Sequence, residues 1–110
     1  MSDFEYCKVE VYIPKAYLGK LCDAFNKLDV GHIGKYSECL SYSEVVSRWK
    51  PLNGSNPFIG NIGKLEEEKE LKVEVTCKVE MVNKLIKEIK KVHPYEEPVI
   101  NVIPLYKIGL

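Results

Sequence analysis

The sequence carries no excess of either charge: sixteen Lys and Arg balance sixteen Asp and Glu over 110 residues. A duplex-binding surface needs many uncompensated basic side chains, so nucleic acid is not an expected partner. The same balance removes attraction to an anionic membrane. No run of about 18 apolar residues occurs, which argues against a membrane-spanning helix. The opening MSDFEYCKVEVY lacks the basic-then-apolar pattern of a secretory signal. Histidine is scarce, with only His32 and His93, whereas a dinuclear hydrolytic metal site draws on several His and Asp ligands. Cys7, Cys22, Cys39 and Cys77 are scattered, form no CxxC pair and have no histidine at catalytic spacing. They read as reduced thiols of a cytoplasmic protein. GxSxG and HExxH are both missing, and Gly63-Lys64 is followed by Leu65 rather than the Ser or Thr of a phosphate-binding loop. The expectation is a chain with no catalytic residues, no metal ligands and no cofactor, beyond a weak contact with a divalent cation.

What is present fits one α+β domain spanning residues 1–110. Cys7, Val9, Val11 and Ile13 alternate with Tyr6, Lys8, Glu10 and Tyr12, a period of two that predicts a strand. After Pro14, the apolar stripe Tyr17, Leu18, Leu21, Cys22, Phe25 and Leu28 predicts a helix that Gly31 ends. A second strand is expected from near Lys35 to Trp49. Its mixed, serine-rich faces suit an edge or an interface. Leu71, Val73, Val75 and Cys77 predict a third strand, and Val82, Leu85, Ile86, Ile89 and Val92 a second helix. That helix must stop at His93, because Pro94 forces the residue before it out of the α region. An apolar run after Pro98 gives a fourth strand. The order βαββαβ is the ferredoxin-like split βαβ pattern, with strands one and three central and both helices on one face. Tyr6 and Tyr12 among paired charges on the other face suit burial against a second copy, and a chain of zero net charge resists association poorly.

Two segments stand apart. Residues 51–63, PLNGSNPFIGNIG, are punctuated by Gly54, Gly60, Gly63, Pro51 and Pro57 and read as a loop. A loop this long in a small domain is commonly functional, and Phe58 and Ile59 favour order. The charged run Lys64 to Glu70 reads as a solvated approach to the third strand. The segment His93-Pro94-Tyr95-Glu96-Glu97-Pro98 offers an imidazole, a phenol and two carboxylates. They could contact a cation or act as acid and base, or simply brace a turn between prolines. His32, between Gly31 and Gly34, reads either as a ligand contact or as an exposed histidine beside a helix cap.

The same residues carry a family resemblance. His93 to Pro98, followed by the strand to Pro104-Leu105, resembles the end of the CutA family and of its relatives near the PII signalling proteins. Gly31 to Tyr36, Lys50 to Gly60, and Gly63-Lys64-Leu65-Glu66 closely resemble the central insert of the Nif-three-like proteins. The resemblance covers nearly the whole chain. It implies a stand-alone version of that insert: a CutA/PII-like domain that forms a homotrimer with its sheets inward. It brings no settled activity, because the metal ligands of full-length relatives lie in the flanking halves.

The function this implies is a trimeric binding or regulatory module for a small molecule or cation. Its candidate ligand-binding residues are His32, Tyr36, Asn56, Phe58, His93, Tyr95, Glu96 and Glu97. The alternatives are an enzyme using His93, Glu96 and Glu97 in intersubunit clefts, or a purely structural trimerisation unit. Both helix exits are expected at one end of the sheet. The 51–63 loop is expected at the other end, meeting them only across a subunit interface.

Overall fold

The computed structural model describes residues 3–109. Its elements are β1 (Tyr6–Ile13), α1 (Leu18–Lys27), β2 (Ser41–Trp49), β3 (Glu66–Lys78), α2 (Val82–Val92) and β4 (Ile100–Leu105), and a short 3-10 turn leads into each helix. The strands form one antiparallel sheet in the order β2-β3-β1-β4. This is the ferredoxin-like α+β arrangement that the periodicities predict.

The core follows from the period of two. Cys7, Val9, Val11 and Ile13 lie opposite Cys77, Val75, Val73 and Leu71, and all are buried. Alternate side chains share a face, so these residues cover one side of the sheet. The helices lay Leu21, Ala24 and Phe25 of α1, and Leu85 and Ile89 of α2, onto that surface. Each large apolar side chain so buried contributes about 1.5–3 kcal/mol.

The end of α1 is a Schellman motif. Asp29 N–H donates to the Asn26 carbonyl at 3.1 Å and Val30 N–H to the Phe25 carbonyl at 2.9 Å. The left-handed residue this requires is Asp29, at φ 52°, two positions before the expected Gly31. Val30 then packs with Phe25 in the core, the apolar contact that accompanies this motif.

Three expectations are corrected. First, β2 begins at Ser41 rather than near Lys35. Ile33 and Tyr36 exchange backbone hydrogen bonds at 2.7 and 2.9 Å, Cys39 N–H donates to the Gly31 carbonyl at 3.0 Å, and Glu38 is left-handed at φ 58°. The chain is spent on turns there and cannot extend. Second, Glu66 to Glu70 is strand, not a solvated approach. It pairs with Val45 to Trp49, because the far half of β2 has no other backbone partner. Arg48 and Glu67 add an ion pair at 3.0 Å. Third, the two helix exits lie at opposite ends of the sheet. β1 and β3 are antiparallel, so the helices that return along them are antiparallel too. Gly31 therefore lies where β1 begins and His93 where β1 ends.

Candidate functional site

His93 closes α2 with an extended backbone, φ −77° and ψ 132°, as Pro94 requires. Its buried ring is held at both nitrogens. Nε2–H donates to the Tyr12 carbonyl at 2.6 Å, and Nδ1 accepts from Tyr95 N–H at 3.2 Å. These partners select the neutral Nε2–H tautomer. Burial pushes the imidazole below its usual pKa, against the opposing pull of the Tyr12 hydrogen bond and the Glu70 charge. The ring is a strut that joins the end of β1 to the turn before β4.

That turn holds the long loop. Glu96 Oε2 accepts from Asn56 N–H at 2.6 Å. Phe58 meets Tyr95 at 6.1 Å between ring centroids and stands edge-on to Tyr17 at 6.1 Å. Trp49, the last residue of β2, stacks at a tilt on Tyr95 at 5.8 Å and donates its indole N–H to the Ile59 carbonyl at 3.1 Å. The loop base is closed by Gly63 N–H to the Pro51 carbonyl at 2.8 Å. The loop is thus ordered by named contacts at both its ends and its middle.

Between this loop and the open face of the sheet lies a groove of about 930 Å³, walled by Trp49, Pro51, Phe58 and Tyr95, with Glu70, Glu96, Glu97 and Lys50 among its polar groups. Glu70 is only 4% exposed. Its Oε2 and the Tyr95 hydroxyl are both buried, and the phenol O–H, a donor, lies against the Glu70 carboxylate, an acceptor. Burial, with the Glu70 carboxylate beside it, drives the Tyr95 phenol well above its usual range. Buried polar groups in folded proteins are normally paired, and this phenol and carboxylate supply each other's partner beneath the groove wall.

Asn56, Phe58, Tyr95, Glu96 and Glu97 come together at this end of the sheet, with His93 beneath them. They do so within one chain, against the expectation that the loop could reach the turn only across a subunit interface. The path is short because β2 ends, and β4 begins, where β1 ends. His32 and Tyr36 are not part of this cluster. His32 lies at the other end, its Nδ1 against Asp29 at 3.0 Å and its Nε2 against the Gly34 carbonyl at 3.0 Å, and Tyr36 is exposed. Sequence reasoning missed Trp49 and Glu70. Trp49, the chain's one tryptophan, sits just before the loop and could have been flagged. Glu70 looks the same in sequence as its neighbours in the charged run.

Comparison with known proteins agrees with this architecture. The family model described as CutA1 divalent ion tolerance protein matches residues 61–109. A protein of Halalkalibacterium halodurans named GTP cyclohydrolase 1 type 2 homolog is 38% identical over 102 residues, 93% of this chain and 27% of its own length. The protein of the same name in Bacillus subtilis is 38% identical over 98 residues, 89% of this chain and 26% of its own length. The chain thus spans about a quarter of these relatives. A Bacillus cereus protein related to NIF3 superposes with a TM-score of 0.82 at 32% identity, covering 94% of this chain and 26% of that one. CutA of Pyrococcus horikoshii superposes at 0.70 with 20% identity, covering 94% of this chain and 87% of that one, a likeness of fold. In sequence and fold the chain is thus similar to about a quarter of these longer proteins, and its fold is that of CutA.

Proposed function

We propose that the chain is a small-molecule binding or regulatory module rather than a catalyst, and that it works as a homotrimer. The observation that carries this reading is the fastening of the 51–63 loop onto the His93–Glu97 turn to wall a groove. The Glu96–Asn56 hydrogen bond and the Phe58–Tyr95 contact order thirteen residues of loop that the core does not need, and ordering a loop costs conformational entropy. The enzyme alternative has less support. Both His93 nitrogens are engaged and Glu96 accepts from Asn56, so two of the three groups it would use are already occupied. The activity named in the relatives belongs to proteins more than three times as long, and this segment's part in them is proposed to be recognition.

The trimer rests on the open sheet face and its edges. Tyr6 and Tyr12 flank a Lys8, Glu10, Lys72 and Glu74 network on that face, and β2 exposes Tyr42 and Val46. Closed symmetric assemblies cover such surfaces. Light scattering at micromolar concentration should give the mass of three chains, and a monomer would refute the assembly. A thermal-shift screen tests binding, since a ligand of the native state raises the midpoint by mass action. The shift should be lost in Phe58→Ala. Shifts that survive this substitution would move the site elsewhere.

A further inference from the structure

The partners of His93 leave no freedom in where its proton sits. The Tyr95 N–H can only donate, so Nδ1 must be bare; the Tyr12 carbonyl can only accept, so Nε2 must carry the hydrogen. A second proton has one place to go, Nδ1. There it would set N–H against N–H at 3.2 Å. Protonation of the ring and its contact with Tyr95 therefore exclude each other.

Tyr95 is the residue through which the long loop is held. Its ring lies at a tilt against His93, 4.9 Å between centroids, and touches both Trp49 and Phe58. The next residue, Glu96, accepts from Asn56. Around the imidazole, β3 presents the Glu70 carboxylate, the turn presents the Tyr95 phenol, β1 presents the Tyr12 carbonyl, and α2 holds the His93 N–H through the Ile89 carbonyl. Glu70 favours the charged ring and burial opposes it; burial prevails. The ring is thus neutral, and its contact with Tyr95 closed, at neutral pH. The ladder between β1 and β3 uses none of these contacts.

We propose that His93 is an acid-operated latch on the groove: a proton on Nδ1 releases Tyr95, and with it the 51–63 loop, while the sheet and helices stay folded. The released ring takes the proton more readily than the latched one, so falling pH shifts the chain toward the open form. Opening parts the groove walls, because Asn56 and Phe58 on the loop leave Glu96 and Tyr95 on the turn. The consequence for a ligand rests on the reading of the groove as a binding site; the opening itself is measured without one.

Amide exchange of the full chain, taken as protection relative to the free-peptide rate, is followed from about pH 7 to about pH 5 beside the ring resonances of His93. Protection of the Tyr95 and Asn56 amides should fall by about tenfold or more with the His93 midpoint, as expected for a lost hydrogen bond. Val9 and Val73 in the core should stay protected. His93→Asn cannot titrate and keeps an acceptor oxygen near the place of Nδ1; His93→Gln cannot titrate and keeps a donor that reaches toward Tyr12. Neither should show the step. The wild-type comparison of latch and core amides stands whether or not these variants fold. Flat protection of Tyr95 and Asn56 through the His93 midpoint would overturn the proposal. So would the same step in a folded variant, which would assign it to the carboxylates, or loss of core protection at the same pH, which is global unfolding. A step that follows His93 beside a silent thermal-shift screen would keep the latch and remove the binding reading. A ligand bound at neutral pH, with no step, would keep the site and remove the latch.

Discussion

The backbone N–H of Asn56 donates to the carboxylate of Glu96 at 2.6 Å, across 40 residues of chain. Both residues are exposed, so the bond adds little to global stability; what it fixes is the position of the loop. Glu96→Ala should lower the unfolding free energy by no more than about 1 kcal/mol. Amide exchange at residues 56–59 should nevertheless quicken sharply, because local opening is governed by local contacts. Unchanged protection at Asn56 would mean the aromatic contacts of Phe58 hold the loop alone.

His93 gives the fold a pH dependence of definite sign. Burial lowers its pKa in the native chain, whereas the unfolded chain takes up the proton near pH 6.5, about the ordinary histidine value. Its contribution is therefore fully present above that pH. It is lost as pH falls below it, until the native ring itself titrates. Urea midpoints measured from pH 7.5 to 5.5 should fall more steeply for the wild type than for His93→Asn. Ring proton resonances of the two histidines provide a second check. A His93 titration midpoint above 6.5 would contradict the buried neutral ring.

Gly31 is required by space and by backbone together. It sits at φ +90°, and a Cβ there would lie 2.7 Å from the Cys39 carbonyl oxygen. That oxygen is backbone and cannot swing aside. Gly31→Ala should destabilise the chain by about 1–3 kcal/mol, measured by denaturant unfolding. Gly19→Ala offers a control, since nothing lies within 4 Å of its added Cβ. It lies inside α1, so it should stabilise by up to about 1 kcal/mol.

Much of this architecture is legible in the sequence, and the parts that are not fail for physical reasons. The faces of β1 and β3 and the halt of α2 before Pro94 follow from local rules: side-chain alternation and the steric demand of proline. The extension of β3 through Glu66–Glu70 does not, because charged residues form a strand there only to satisfy the backbone of β2. The site was half legible. Phe58, Tyr95 and Glu96 stand out by type within a loop and a turn, but their meeting within one chain depends on strand direction. The antiparallel pairing of β1 and β3 sends the exits of the two helices to opposite ends, and the strand directions bring the end of β2 to the same end of the sheet as the start of β4. Glu70 was hidden because burial, not identity, distinguishes it from Glu66 and Glu68.

The four cysteines should divide by reactivity according to where the sheet places them. Cys7 and Cys77 are register partners on the helix-facing side, both buried, with the Cys7 thiol donating to the Cys77 carbonyl at 3.4 Å. Burial and then the neighbouring Cys7 push the Cys77 thiol up to about 12, and burial raises Cys7 as well. The thiolate is the reactive species. At pH 8 only about one Cys77 in ten thousand would carry it, even before access is considered. Cys22 and Cys39 are partly exposed, although burial and the charges of Asp23 and Glu38 raise Cys22. Iodoacetamide on the native chain, followed by mass spectrometry, should therefore modify Cys39 first, Cys22 more slowly, and Cys7 and Cys77 only on the timescale of global unfolding. All four should react together in guanidinium. If Cys77 were alkylated natively as fast as Cys39, the pairing of β1 with β3 would be open to solvent, and the sealed core that positions the groove would be wrong.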